Sequence, residues 1–122
     1  MARRSESGFT LIEMLQAVAL SAIGLLALSS LTVGTIHANA KARRITTAAT
    51  LGQAKMEEIR NLNFTEIVDG SDEVTDTEVP YSRIWEVCVN CPISGAKEVT
   101  LTVHWTDQGT QSVTLETIIS DG

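Results

Sequence analysis

The sequence contains no ionisable side chain in the 23 residues from Met14 to Ile36. Proline, which bends or breaks helices, is also absent from this segment. A helix rises about 1.5 Å per residue, so such a segment reaches about 34 Å and can cross a bilayer core of about 30 Å. The absence of charge therefore predicts a membrane-spanning helix.

Basic residues are scarce in the rest of the chain. Residues 66–78 carry six acidic side chains and no basic one. Without residues 1–8, the chain has 7 basic and 14 acidic residues, a formal charge of −7. A surface this acidic argues against nucleic-acid binding through phosphate contacts. Calcium binding by the acidic segment is an alternative to a solvated loop, although the segment does not match an EF-hand.

Only two cysteines are present, Cys88 and Cys91. They end a predicted strand before Pro92, whereas a redox-active pair normally opens a helix. A zinc site would need further ligands, and His37 and His104 lie on other predicted elements. The pair is interpreted as a candidate disulfide or as two free thiols. The sequence predicts no metal site, no cofactor and no catalytic residue.

The N-terminus carries the contiguous string Gly-Phe-Thr-Leu-Ile-Glu at residues 8–13, preceded by Arg3 and Arg4. Followed by a long apolar run, this string resembles the start of type IV prepilins and of type II secretion pseudopilins. The resemblance implies that residues 1–8 are a leader, which a prepilin peptidase removes between Gly8 and Phe9. The new terminus at Phe9 would be N-methylated. The apolar run would be retained, unlike that of an ordinary signal peptide.

Glu13 lies at the edge of the apolar segment, where an unpaired carboxylate is costly. After cleavage it would be the fifth residue, and the new amine of Phe9 on a neighbouring subunit could become its counter-ion. By resemblance, Glu13 would also support methylation of Phe9. The simpler interpretation is that Glu13 only marks the membrane boundary.

The basic pair Arg3 and Arg4 predicts a cytoplasmic leader and a periplasmic C-terminal part. The resemblance implies a structural subunit, not an enzyme, that is held in the inner membrane by one span and then enters a pilus or pseudopilus. Its expected partners are prepilin peptidase, other pilin or pseudopilin subunits and an inner-membrane assembly platform. The Trp-Thr-Asp-x-Gly hairpin and the Val-Thr-Leu-Glu-Thr-Ile-Ile end look most like PilV-type minor pilins and I-type minor pseudopilins.

A single helix is predicted over residues 9–62, membrane-spanning over 9–36 and amphipathic over 37–62. Apolar and small residues recur there at helical spacing and predict a buried stripe, whereas charged residues, Lys55 among them, lie mostly off it. The members of the stripe are Ile45, Ala49, Leu51, Gly52, Met56, Ile59 and Leu62.

Residues 63–122 are predicted to form a small β head that begins with an acidic loop, 63–81. Three strands are expected, at 82–89, 98–106 and 112–120, with a hairpin link between the last two. Their inward side chains would be Trp85, Val87 and Val89, then Val99, Leu101, Val103 and Trp105, then Val113 and Leu115. Such a sheet needs a cover, so the fold class is α+β, with the antiparallel sheet packed on the second half of the helix.

Two other function classes stay open from the sequence. A signal-anchored periplasmic binding module could recruit a partner through its acidic head, but it would have no reason to lose residues 1–8. A redox or metal enzyme would rest on the cysteine pair alone, without a nucleophile and base.

Overall fold

The computed structural model describes residues 8–122. The predicted leader, residues 1–8, therefore lies outside the described residues except for its last residue, Gly8. The basic pair Arg3 and Arg4, on which the predicted membrane orientation depends, lies outside them as well.

The chain divides into two units, the first ending at Lys41 and the second running from Ala42 to Gly122. One helix, α1 (Leu11–Arg60), belongs to both units. It begins two residues after and ends two residues before the predicted helix, 9–62. A difference of this size is usual for helix ends.

In the first unit, α1 has no cover. Every residue from Gly8 to Asn39 is exposed, and the large apolar side chains from Leu11 to Ile36 keep between 54% and 77% of their surface exposed. A helix that is apolar all round is normally buried in a core or in a membrane. Within the described residues, α1 is the one helix long and apolar enough to cross a membrane.

The second unit contains a four-stranded antiparallel sheet. A short 3₁₀-helix, Phe64–Glu66, lies between α1 and the sheet in the sequence. The inner face of the sheet packs on the C-terminal part of α1, so the predicted α+β architecture is confirmed. The strands, in their spatial order, are β1 (Gly70–Val74), β2 (Tyr81–Val89), β3 (Ala96–Thr106) and β4 (Thr110–Ser120).

The central strand β3 supplies most of the core. Val99, Leu101 and Val103 are fully buried and Trp105 is 4% exposed, which confirms the predicted alternation. The Tyr81 ring lies against Trp105, with the ring centroids 5.8 Å apart. Because each large apolar side chain contributes about 1.5–3 kcal/mol when fully buried, β3 is the strand on which the fold most depends.

The buried stripe of α1 agrees with the predicted one at Gly52, Met56 and Ile59. Ile45 and Leu62 are 41% and 43% exposed, so their assignment to the stripe is wrong. Leu62 follows the end of α1, and Ile45 precedes the closest contact with the sheet, which lies at Gly52, where an added Cβ would lie 2.6 Å from Leu115 Cδ1. Residues one turn to either side of Gly52 complete the contact. The buried residues of the helix are Ala48, Gly52, Met56 and Ile59.

The acidic segment 63–81 is not only a loop, contrary to prediction, because it contains the edge strand β1. Asp72 lies opposite Arg83 and accepts two hydrogen bonds of 2.6 Å from the guanidinium group. Lys55 Nζ lies 3.3 Å from the same carboxylate. Lys55 therefore faces the sheet and not solvent, and its predicted position off the stripe is wrong. These ion pairs allow a polar sequence to form a strand.

The end of β2 differs from the prediction, whereas the turn between β3 and β4 lies where it was predicted. Val89, predicted to face inward, is 60% exposed because it ends β2 at the rim of the sheet. The predicted link from Asp107 to Thr110 is a tight turn, in which the Asp107 N–H donates to the Gly109 carbonyl at 2.9 Å. Asp107 also forms an ion pair with Arg44 of α1.

Candidate functional site

The candidate site is the start of α1, where Thr10 and Glu13 bond to each other reciprocally. The Glu13 N–H donates to Thr10 Oγ1 at 3.2 Å, and the Thr10 N–H donates to Glu13 Oε2 at 3.1 Å. This arrangement is a capping box, which satisfies two of the N–H groups that a helix start leaves free. The Thr10 hydroxyl donates to the same carboxylate oxygen at 3.3 Å.

The capping box occupies only one oxygen of the Glu13 carboxylate. Both hydrogen bonds from Thr10 end on Oε2, and Oε1 accepts none from the residues that the structure describes. The side chain is exposed, in the first turn of α1, where the helix dipole favours a negative charge. The carboxylate can thus cap its own helix and still accept a bond from an external cation.

The junction between Gly8 and Phe9 precedes the helix and is open to solvent. Phe9 is 85% exposed, and no atom lies within 4 Å of the position that a Cβ on Gly8 would occupy. The described part of the chain therefore does not itself require glycine at this position. A requirement for glycine would have to come from a molecule that closely approaches the backbone there.

Four hydroxyl groups in the apolar part of α1 form hydrogen bonds within the helix. Ser21, Ser29, Thr32 and Thr35 each donate to the carbonyl oxygen four residues earlier, at 2.7 to 3.0 Å. An unsatisfied hydroxyl in lipid would be costly, whereas a hydroxyl bonded back to its own helix is tolerated. These four hydroxyls are therefore compatible with a membrane span.

Cys88 and Cys91 lie in the second unit and are joined by a disulfide. Cys88 belongs to β2, and Cys91 follows the turn at Asn90, where φ is +59°. The Asn90 side chain accepts the Gly95 N–H at 3.1 Å across the β2–β3 connection. The disulfide and this hydrogen bond both fix that connection.

The acidic segment uses two of its carboxylates within the sheet. Burial alone would raise the pKa of Asp72, but hydrogen bonds and charges from Arg83 and Lys55 hold that pKa below its ordinary value. Asp69 accepts the Val87 N–H at 2.6 Å. Between Gly8 and Gly122, no group of three or more His, Cys, Asp or Glu residues is placed to hold a metal ion.

Thr10 is the residue of this site that the sequence analysis did not assign a role. The signal was present, because Thr-x-x-Glu before an apolar run is the sequence pattern of a capping box. Residues 10–13 match that pattern. Thr10 holds the Glu13 carboxylate against the first turn of α1.

Comparison with known proteins gives one finding at this same end of the chain. Residues 3–29 match the family model of the prokaryotic N-terminal methylation motif. No curated protein and no solved structure matches the chain significantly. The motif implies processing by a prepilin peptidase and assembly with other pilins. Together with the exposed apolar helix and the α+β architecture, it supports placing the chain in the family of type IV pilins and pseudopilins, whose members are structural subunits.

Proposed function

We propose that this protein is a minor pilin or minor pseudopilin, a structural subunit of a type IV pilus or of a type II secretion-like filament. The observation that carries the proposal is the uncovered apolar helix with a single carboxylate, Glu13, in its first turn. A helix of this kind needs lipid or other helices around it. The match to the methylation motif supports the same function.

The proposed sequence of processing and assembly steps begins at the inner membrane. Prepilin peptidase cuts between Gly8 and Phe9, and the new amine of Phe9 is methylated. Residues 9–36 span the membrane, and Arg3 and Arg4 place the leader in the cytoplasm, so that the β head lies in the periplasm. An inner-membrane assembly platform then transfers the subunit into the filament. The protein is a substrate in these steps and not an enzyme.

In the assembled state, Glu13 pairs with the Phe9 amine of a neighbouring subunit. The free Oε1 is available for this bond while Oε2 remains in the capping box with Thr10. An ion pair is stronger in a helix bundle than in water, and an unpaired charge there is strongly unfavourable. The pair therefore sets the stagger between subunits more than it adds net stability.

Intact-mass measurement of the protein extracted from membranes tests this proposal. The expected mass is that of a chain beginning at Phe9 and carrying one additional methyl group. In cells without prepilin peptidase, the mass should be that of the unprocessed chain. A chain beginning at Met1 in peptidase-containing cells would contradict the proposal and favour a signal-anchored binding module.

A further inference from the structure

One edge of the sheet is open and carries none of the usual protection against pairing. Within residues 8–122, β4 pairs only with β3, along all eleven residues from Thr110 to Ser120. Every second residue of an edge strand directs its N–H and C=O groups away from the sheet. Proline, lysine and bulges commonly block such edges, and β4 has no proline and no lysine. Its register with β3 is continuous.

The opposite edge of the same sheet is protected. β1 is only five residues long, and its central residue Asp72 is held by Arg83 and Lys55. A short strand with paired charges is a poor template for another strand. The contrast between the two edges indicates that β4, and not β1, is suited to receive a further strand.

A groove runs beside the open edge. It has a volume of about 360 Å³ and lies between residues 53–60 of α1 and residues 115–117 of β4. Met56 and Leu115 are the apolar residues of its lining, which also includes Gln53, Glu57, Arg60, Glu116 and Thr117. The inward side chains of β4 are only partly buried, unlike those of β3, because β4 has a neighbouring strand on one side only. A strand added to β4 would place its own inward side chain in this groove.

The outward face of the sheet sets the charge of the added strand. Glu116 of β4 and Glu98 of β3 point outward, and the only lysine or arginine in these two strands, Lys97, is buried on the inner face. Opposite charges across neighbouring strands are favourable and like charges are not. The residue of an added strand that lies beside Glu116 would therefore be basic.

We propose that the free edge of β4 binds an extended segment of a different filament subunit, one that places an apolar residue beside Met56 and Leu115 and a lysine or arginine beside Glu116. Backbone hydrogen bonds to β4 supply the affinity, and the groove at Met56 and Leu115 selects an apolar side chain. This inference rests on the proposed function as a filament subunit. It adds which surface of the head is used and what sequence the partner presents there.

A second copy of this chain fits the edge less well. Antiparallel pairing of two β4 strands would bring the Glu116 side chains of both copies onto one face, and each copy would carry a charge of −7 without residues 1–8. Such a pair is also closed by two-fold symmetry, whereas a filament needs contacts that repeat in one direction. Charge and symmetry both favour a different, basic partner.

The experiment compares two lysine substitutions in the full chain, expressed with the other pilin-like subunits of the same cell. Thr117→Lys directs a charge inward into the groove, and Ser112→Lys directs one outward from the same strand. Thr117→Lys should reduce the amount of other subunits that copurify by about tenfold. Ser112→Lys should leave it unchanged. Both variants should keep the wild-type unfolding midpoint and processing, since both positions are accessible to solvent.

Amide hydrogen exchange of the wild-type chain gives a second readout. Alternate amides of β4 should exchange more slowly in the copurified complex than in the free subunit, while those of β1 should not change. Equal copurification of Thr117→Lys and wild type, or unchanged β4 exchange in the complex, would overturn this inference and leave the proposed function standing. A complex containing only copies of this chain would also overturn it. Failure of the wild-type chain to copurify with any pilin-like subunit would overturn the proposed function as well.

Discussion

At the scale of single residues, the two oxygens of the Glu13 carboxylate differ in their hydrogen bonding. Oε2 accepts hydrogen bonds from Thr10 and holds the first turn of α1, while Oε1 is open. The capping box lowers the cost of placing a charge beside the apolar segment, because the carboxylate is already partly satisfied. A neighbouring amine would therefore meet an acceptor whose position is fixed beforehand.

We expect Glu13→Ala to leave membrane insertion intact and to reduce filament assembly or methylation of Phe9 strongly. The substitution removes the proposed counter-ion of the amine, whereas the apolar segment that drives insertion is unchanged. Membrane fractionation, intact mass and the yield of sheared filaments measure the three effects. Glu58→Ala, which removes an exposed carboxylate of the same helix that does not line the groove beside β4, should change none of them. Normal assembly and methylation of Glu13→Ala would remove the role assigned here.

A second residue, Gly52, determines how closely the helix approaches the sheet. We expect Gly52→Val to lower the free energy of unfolding by about 1–3 kcal/mol, because the added atoms overlap Leu115 and Val103. Ala54→Val, on the exposed side of the same helix, should cost only about 0.5 kcal/mol through helix propensity. Urea unfolding of the full chain in detergent, followed by tryptophan fluorescence, measures both values. Equal losses in the two variants would show that close packing at Gly52 is not needed.

At the scale of secondary-structure elements, the edge strand β1 is held to the rest of the head by a polar cluster. Arg83 bonds Asp72 through two nitrogens and also donates to the Leu51 carbonyl of α1 at 3.2 Å. Lys55 adds a second cation from the helix. Geometry of this kind specifies which part of the helix meets which strand, because Arg83 and Lys55 connect residues of α1, β1 and β2.

The cluster makes the stability of the head depend on pH. The pKa of Asp72 is lowered in the folded state, so its ionised form adds stability above the unfolded pKa of about 3.9. That contribution is lost as the pH falls through the folded pKa. We expect Asp72→Asn to lower the free energy of unfolding by about 2 kcal/mol at pH 7, and the difference from wild type to shrink below about pH 4.

Urea unfolding at several pH values, again followed by tryptophan fluorescence, checks this expectation. Asp76→Asn is the matched control, because Asp76 is an exposed acid of the same segment with no ion pair among the described residues. It should be close to wild type at every pH. A difference between wild type and Asp72→Asn that is constant from pH 7 to pH 3 would contradict the role of the charge.

The elements also show what could be predicted from the sequence. Strand β3 alternates cleanly, and its inward residues are all buried, because its pattern is set by local burial alone. Strand β1 was missed because its sequence is acidic, and its stability comes from Arg83 and Lys55, which are distant along the chain. The stripe of α1 was predicted correctly at Gly52, Met56 and Ile59, but Ala48 was missed because a single alanine gives only a weak apolar signal. At the candidate site, Gly8, Phe9 and Glu13 were identified by resemblance, and Thr10 was overlooked although its pattern is local.

At the scale of the whole molecule, the two units differ in whether their apolar side chains are covered by the rest of the chain. The residues of the hydrophobic core all lie between Ala48 and Trp105, within the second unit. In the first unit, the apolar side chains from Leu11 to Ile36 have no cover from the described chain. The second unit therefore buries its own apolar side chains, whereas the first unit depends on lipid or other proteins to cover its apolar side chains.

We expect a fragment beginning at Ala42 to be soluble without detergent and to unfold cooperatively, because it retains every residue of the core. Its free energy of unfolding should be about 5 kcal/mol. Gel filtration and urea unfolding measure both properties. A fragment beginning at Gln53 lacks Ala48 and Gly52 and should lose the cooperative transition. Aggregation of the longer fragment, or cooperative unfolding of the shorter one, would contradict this division of the chain.

The serine and threonine side chains of the apolar segment bear on how the helix can move from lipid into a bundle of other helices. The hydroxyls of Ser21, Ser29, Thr32 and Thr35 are each bonded to a carbonyl of the same helix, so each keeps its partner when the helix moves. When such a helix leaves lipid for a bundle of other helices, none of these four hydrogen bonds has to break. The balance between the two surroundings is then decided chiefly by side-chain packing. If the chain has the proposed function, these internal bonds would remain intact as the subunit passes from the bilayer into the filament.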